Sequence, residues 1–307
     1  MTVFGVTMDR RFFGLNPRLE APTSYGRMIQ LSMFLFVLIN AVHSWSSTRT
    51  SMQARSRGAR SVLSATATFD VTDGTKGVDD SILNQAALFM LHSFWNIEEA
   101  NVSESSPLFS PQKADLEVLF AERLGKRRLN SALVLARSSD GSLSGMIGVE
   151  VSLWDGEEKK ILSYTESEDV LNNAIASLGP KQRREYKDAS LRDLVEQLPA
   201  LGGKFEVVAV LANLAVSPKC RGSGLGKELC RQIESILIDR WDPIAGPNQI
   251  FLNVERENEA AVGLYTKLGY EEMNVDKTST TLRVDLATSS FVDLPCEMIT
   301  LRKIVQS

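Results

Sequence analysis

The chain has 307 residues, 43% of them hydrophobic and 23% charged, with a formal net charge of −4 at neutral pH. That net conceals an asymmetry: through Phe69 there are 8 Arg and 2 acidic residues, which leaves 26 basic against 36 acidic residues afterwards, a net of −10. An acidic body argues against nucleic acid as the main partner and is compatible with a cationic substrate, and the three cysteines (Cys220, Cys230, Cys296) show neither metal-ligand spacing nor the even count of a disulfide framework.

The first 69 residues read as an address. Residues 28–44 hold the apolar run LSMFLFVLINAV behind Arg27, too short to cross a bilayer comfortably and fitting a signal-peptide core. Residues 45–69 contain Arg49, Arg55, Arg57 and Arg60, many Ser and Thr and no acid, as a transit peptide does. Together they predict a largely disordered two-part leader of the kind that reaches plastids through the secretory route. Met28 is an alternative start, and a signal anchor in an endomembrane is the alternative reading. Once the leader is removed, no stable membrane association is expected.

The folded body is expected to begin between Asp70 and Gln85 and to occupy residues 80–307. Ala86–Trp95 reads as a first strand, with a helix start as the alternative. Ser110-Pro111 opens a helix through Leu129, with Leu116, Leu119, Phe120 and Leu124 inward. Two apolar runs, Ala132–Arg137 and Leu143–Leu153, flank Asp140-Gly141 and predict an antiparallel hairpin. Residues 154–204 read as an insertion, with Lys181–Leu198 as one half-exposed helix burying Leu191, Leu194 and Leu198. Its KQRREYK cluster is interspersed with acids and reads as a solvated face rather than an RNA contact. The insertion is expected to form one wall of the acceptor site.

Phe205–Val216 is an apolar, β-branched run that predicts a buried strand. From Leu225 a helix follows, with Leu225, Leu229, Ile233, Ile236 and Leu237 on one stripe. Between them, Arg221-Gly222-Ser223-Gly224-Leu225-Gly226 forms a glycine-rich bend that opens the helix, where converging N–H groups and the helix terminus suit a pyrophosphate. The bend is not a P-loop, because Arg221 stands where the first Gly belongs and Glu228 where Ser or Thr would hold magnesium. It is not the dinucleotide fingerprint either, being G-x-G-x-G rather than G-x-G-x-x-G. Downstream, Ile250, Leu252 and Val254 alternate as a strand, and a helix from about Glu257 carries Ala261, Leu264, Tyr265 and Leu268 on one face, with Gly269 as its stop. Glu271–Asp276, Thr280–Leu286 and Met298–Val305 are the last strand candidates. His92 reads as structural and Cys220 as a bystander.

The spelling R-x-x-G-x-G at Arg221, Gly224 and Gly226, followed by N-x-x-A-x-x-L-Y-x-x-x-G-[FY] at Asn258, Ala261, Leu264, Tyr265, Gly269 and Tyr270, resembles the GNAT family of N-acetyltransferases. The likeness spans Ala86 to Val305, its specific motifs lie within Leu211–Tyr270, and ANLAVSP and EMITLRKIV resemble members that acetylate protein amines, including plastid ones. The resemblance implies an α/β fold with a mixed, mostly antiparallel central sheet flanked by helices, and acetyl-CoA as co-substrate without a metal. It further implies that Leu214, Ala215 and Val216 bind the pantetheine arm through main-chain groups, one of whose amides steadies the thioester oxygen. Arg221, Gly222, Ser223, Gly224, Leu225 and Gly226 would hold the pyrophosphate, Asn253 and Asn258 would touch the cofactor from the other side, and Tyr265 would protonate the departing thiolate. Some relatives carry a catalytic Glu where this chain has Asn253, so the base is open between Glu206, Glu255 and a water relay. A protein amine, N-terminal or lysine, is the expected acceptor in a plastid, with a small-molecule amine as the alternative and a silent acyl-CoA-binding module as a third.

Overall fold

A computed structural model describes residues 67–72, 79–95, 109–124, 128–241, 249–285 and 290–305. Apart from its last three positions, the leader expected over residues 1–69 lies outside the described residues. Strand β1 (Thr68–Thr72) begins inside that stretch: Thr68 and Phe69 pair with Arg137 and Ala136, so the sheet starts before the expected body does. Helix α1 (Asp80–Trp95) corrects the strand expected at Ala86–Trp95. Leu83, Ala86, Ala87, Met90 and Leu91 are all buried, the i, i+3, i+4, i+7, i+8 stripe of a helix, and Asp79 Oδ1 accepts from Ser81 N at its start. Helix α2 (Phe109–Arg123) ends six residues before the expected Leu129 and buries Leu116 and Phe120, with Leu124 just beyond; the Leu119 side chain is outside the described residues.

Strands β2 (Ser131–Arg137) and β3 (Leu143–Asp155) form the expected antiparallel hairpin, with Gly141 left-handed at its turn. A two-residue β4 (Lys160–Ile161) pairs back on β3. Next come α3 (Tyr164–Ala176), α4 (Pro180–Glu185), a 3₁₀ turn (Tyr186–Asp188) and α5 (Leu191–Gln197). The single helix expected over Lys181–Leu198 is therefore two, because Ser190 starts a new one: its Oγ accepts from Asp193 N and its N donates to Asp193 Oδ2, a capping box that stops helix running through. Leu191, Leu194 and Leu198 are buried as expected. The segment is packed into the body of the fold. Leu162, Leu171, Leu191, Leu194, Val195, Leu198 and Leu201 belong to the main core with Ile147, Leu211 and Ile233.

Strand β5 (Phe205–Val216), α6 (Leu225–Ile236), a π-helical turn (Leu237–Trp241), β6 (Gln249–Glu255) and α7 (Glu259–Lys267) follow, then β7 (Glu271–Asp276), β8 (Thr280–Asp285), β9 (Ser290–Pro295) and β10 (Met298–Ile304). The main sheet runs β1-β2-β3-β5-β6-β10-β7, and every neighbouring pair is antiparallel except β5–β6. The fold is thus α/β with a mixed, mostly antiparallel sheet flanked by helices. On one face, α6 and α7 pack on Ile250, Leu252 and Val254; on the other, α1 and α2 cover Leu133, Leu135, Met146 and Ala215. The hairpin β8–β9, of which β9 was not anticipated, is pinned to the sheet by Arg283, whose guanidinium donates to both oxygens of Glu255, and by Thr281 Oγ1, which donates to Glu255 Oε1 at 2.6 Å.

Candidate active site

Two departures from regularity in β5 create the site. First, among the described residues β5 runs parallel to β6 only at Ala209↔Ile250 and Val210↔Phe251; beyond Val210 the two strands share no register, and the end of β5 has no strand partner on that side. Second, β5 carries a bulge. Met146 of β3 faces Ala215, yet Gly148 faces Ala212, so one extra residue sits on β5, and Asn213 has φ +59°. The extra residue resets the alternation. Val208 and Val210 belong to one face, while Leu214 and Val216 join the core under α6 on the other. The end of β5 thereby presents its main chain to a gap, with Leu214 and Val216 turned toward the helices.

That gap opens into a cleft of about 500 Å³, within the usual range for small-molecule sites. Leu214, Ala215 and Val216 line it from β5, Arg221, Gly222, Gly224, Leu225, Gly226 and Lys227 from the bend and α6, and Asn258, Ala261, Gly263 and Leu264 from α7 and its cap. The bend is shaped for close approach. Gly222 (φ +75°) and Gly224 (φ +95°) take left-handed backbone that other residues adopt only at a cost, and Gly224 caps α6. Gly226 and Lys227 lie in the first turn of α6, where helix geometry supplies no i−4 acceptor for their amides. A Cβ on Gly226 would meet Leu264 Cδ2 at 3.3 Å and Val216 Cγ2 at 3.7 Å, so α6, α7 and β5 converge at this glycine.

The polar groups fit an anionic, extended ligand. Positive charge comes from Arg221, Lys227 and Lys267, against Glu259 as the single acid among the described lining residues. Asn258 is 3% exposed; its Oδ1 caps α7 by accepting from Ala261 N at 3.0 Å, and its Nδ2 is buried without a hydrogen-bond partner in the cleft wall. An orphaned buried donor in a ligand cleft is a group waiting for an acceptor. The cleft's size, its free helix-terminal amides and this donor accommodate the diphosphate and amide-bearing arm of coenzyme A.

Residues 192–270 match the acetyltransferase (GNAT) family. The match runs from α5 through the bend and α6 to Tyr270, the stretch that builds this cleft. YobR, an uncharacterized N-acetyltransferase of Bacillus subtilis (strain 168), is 33% identical over 81 residues, 26% of this chain and 31% of that protein. The chain thus matches about a third of this relative's length. Among solved structures, the ribosomal-protein-S18-alanine N-acetyltransferase of Escherichia coli is 14% identical with a TM-score of 0.40, over 78% of this chain and 96% of its own. A GNAT-family acetyltransferase of Streptococcus pneumoniae is 10% identical at a TM-score of 0.41, over 78% and 100%. The fold described above is of GNAT type.

Against this GNAT frame, the expected residues separate. Leu214, Ala215, Val216, Gly222, Gly224, Leu225, Gly226 and Asn258 line the cleft together. Ser223 braces the bend instead: its Oγ donates to Cys220 O at 2.7 Å and accepts from Leu225 N at 3.3 Å. Arg221 lines the cleft, but its guanidinium also reaches back, Nη2 to Ser93 O at 3.1 Å and Nε to Val216 O at 3.3 Å, so it clamps α1 to the bend. Asn253 is not part of the cleft. It projects from the face of β6 that carries Phe251, where its Oδ1 accepts from Thr300 Oγ1 at 2.8 Å, because strand alternation turns it away from Leu252 and Val254. Tyr265 is 1% exposed beneath the α7 wall, with its ring edge-on to Tyr270 at 5.6 Å. Burial holds its hydroxyl well above the ordinary tyrosine range, so it keeps its proton at neutral pH. Lys227 and Lys267, which motif spelling does not single out, supply charge that only the folded arrangement brings to the cleft.

Proposed function

We propose that this protein is an acetyl-CoA-dependent N-acetyltransferase acting on a protein amine, N-terminal or lysine, in a plastid. The observation that carries the activity is the separation of β5 from β6 after Val210, directly beside a left-handed glycine bend with unengaged helix-terminal amides. When bound, acetyl-CoA would supply an activated acyl group as a thioester. The chain's own part is to place and polarise. The amides of the bend and the first turn of α6 hold the diphosphate, with Lys227 and Lys267 adding charge. Main-chain groups of Leu214–Val216 fix the arm along the unpaired edge of β5, and an amide there donates to the carbonyl oxygen as it gains negative charge. In other enzymes one such donor is worth about 10²–10³ in rate. Tyr265, kept protonated by burial, provides the proton for the sulfur that leaves.

A protein acceptor is favoured by the likeness of ANLAVSP to protein-amine acetyltransferases, and a plastid by the Arg- and Ser-rich, acid-free stretch 45–69 behind an apolar core. The deciding assay supplies the purified protein with acetyl-CoA, a mixed peptide library and simple amines. Acetylated peptides support the proposal. Turnover of small amines alone replaces its acceptor, and coenzyme binding with no turnover on any amine refutes the activity. A reporter fused to residues 1–69 should enter plastids; retention in endomembranes would remove the plastid assignment.

A further inference from the structure

The coenzyme cleft has two chemically different ends, and α7 runs between them. Its lining residues Ala260, Gly263, Leu264 and Lys267 recur at i, i+3, i+4 and i+7, one stripe of a helix. At the start of that stripe stand Glu259 and Asn258, whose Nδ2 is a buried donor without a partner. In its middle α6 touches α7, where a Cβ on Gly226 would meet Leu264 Cδ2 at 3.3 Å. Lys227 follows Gly226 directly, and Lys267 lies one turn, about 5 Å, beyond Leu264. Helix side chains lean toward the N-terminus, so Lys267 leans back toward this crossing and Lys227 toward the bend. The two ammonium groups therefore flank the meeting point of the helices, about 9 Å along the axis of α7 from Asn258.

These charges are uncommitted. Neither Lys227 nor Lys267 has a hydrogen-bond or ion-pair partner among the described residues, whereas Lys303 meets Glu234 at 2.6 Å and Lys160 meets Glu158 at 2.8 Å. Glu228, next to Lys227, is held along its own helix by Gln232 Nε2 at 3.1 Å. The diphosphate has other partners in the amides of the bend and the first turn of α6. Beside the crossing there is room, for a Cβ on Gly263 would meet nothing within 4 Å. Two open cations and free space past the bend suit a second anion, a phosphomonoester with nearly two charges at neutral pH. The opposite end, with one amide donor and one carboxylate, suits an uncharged amide-bearing arm.

We propose that Lys227 and Lys267 form a subsite for the 3′-phosphate of the coenzyme and so select a nucleotide-bearing acyl donor. Donors without that group, such as 3′-dephospho-coenzyme A or the phosphopantetheine of an acyl carrier protein, are discriminated against. The proposal rests on the acetyltransferase reading and names the donor class within it. Asn258 Nδ2 donates to a carbonyl of the arm at the other end of α7, so the coenzyme is gripped at two separated points and lies in one direction only.

Calorimetric titration of the full chain with coenzyme A and with 3′-dephospho-coenzyme A isolates that phosphate. The wild type should bind coenzyme A about tenfold or more tightly, the scale of a charge-assisted hydrogen bond, and the ratio should shrink as salt is raised. Lys227→Gln combined with Lys267→Gln should bring the ratio close to one and keep the wild-type Tm, because both side chains are exposed. Equal affinities in the wild type overturn the subsite. So does a double variant that weakens both ligands by the same factor, which would mean that the lysines act only on the diphosphate the two ligands share. A chain that binds neither ligand overturns it as well. A wild type that prefers coenzyme A yet acetylates no amine supports the subsite while the reading of function falls; acetyl transfer with equal affinities does the reverse.

Discussion

Gly224 offers the sharpest test of the cleft's architecture, because one methyl group isolates a single term. Its φ of +95° lies in the left-handed region, and a Cβ built there meets nothing within 4 Å. Gly224→Ala therefore adds no clash and costs only the backbone preference of an L-residue, about 1–2 kcal/mol. For a domain of this size each kcal/mol moves Tm by about 2–4 °C, so a fall of about 2–8 °C is expected. Gly263 is the matched control. It lies inside α7, has ordinary helical φ and equally open space, so Gly263→Ala should gain about 1 kcal/mol of helix propensity and raise Tm. Calorimetric melting without coenzyme reads both. Titration with coenzyme A should then show Gly224→Ala weakened about tenfold or more, the loss expected when one charge-assisted amide bond is misdirected. Shifts of the same sign in the two variants, or undiminished affinity in Gly224→Ala, would refute the argument.

Tyr265→Phe should lower kcat by about 10²–10⁴ while coenzyme affinity and Tm stay near wild type; steady-state kinetics with calorimetry separates the two, and an unchanged kcat removes Tyr265 as the acid. Leu229 is fully buried against Gly145, and Leu229→Ala should cost about 2–5 kcal/mol in urea unfolding, a loss below 1 contradicting its place in the core. Arg283→Ala leaves the buried Glu255 carboxylate without its cation; a loss of about 3 kcal/mol and new protease cuts in residues 280–295 are expected, and an uncut hairpin would show that it is held otherwise. Burial pushes the Cys230 thiol up to about 12. Above about pH 9 the unfolded chain gives up this proton and the folded chain does not, so stability falls as pH rises toward 12, by up to about 1.4 kcal/mol per pH unit; a Cys230→Ser variant should show a flatter decline, and an identical slope would contradict the burial.

Motif spelling located the bend, α6, β6 and α7 because those segments obey local rules: alternation, a stripe at helical spacing, and glycine where φ is positive. The failures have local causes as well. AALFMLHSFW is continuously apolar, which suits a buried strand and a buried helix equally, and only the contacts of Leu83, Met90 and Leu91 with β2 and β3 decide it. The break at Ser190 was written in the sequence as Ser-x-x-Asp, a capping signal outweighed by the helical pattern on either side. Asn253 satisfied a strand position in a family pattern, but which face it takes depends on pairing with Thr300 across β10. The bulge at Asn213 could not be singled out at all, its only sequence trace being an asparagine tolerant of left-handed backbone.

The one-residue excess at Asn213 sets which way the end of β5 points. Taking that residue out would turn Leu214 and Val216 over to the α1 side, so a deletion variant should lose coenzyme affinity even where the rest of the sheet still forms.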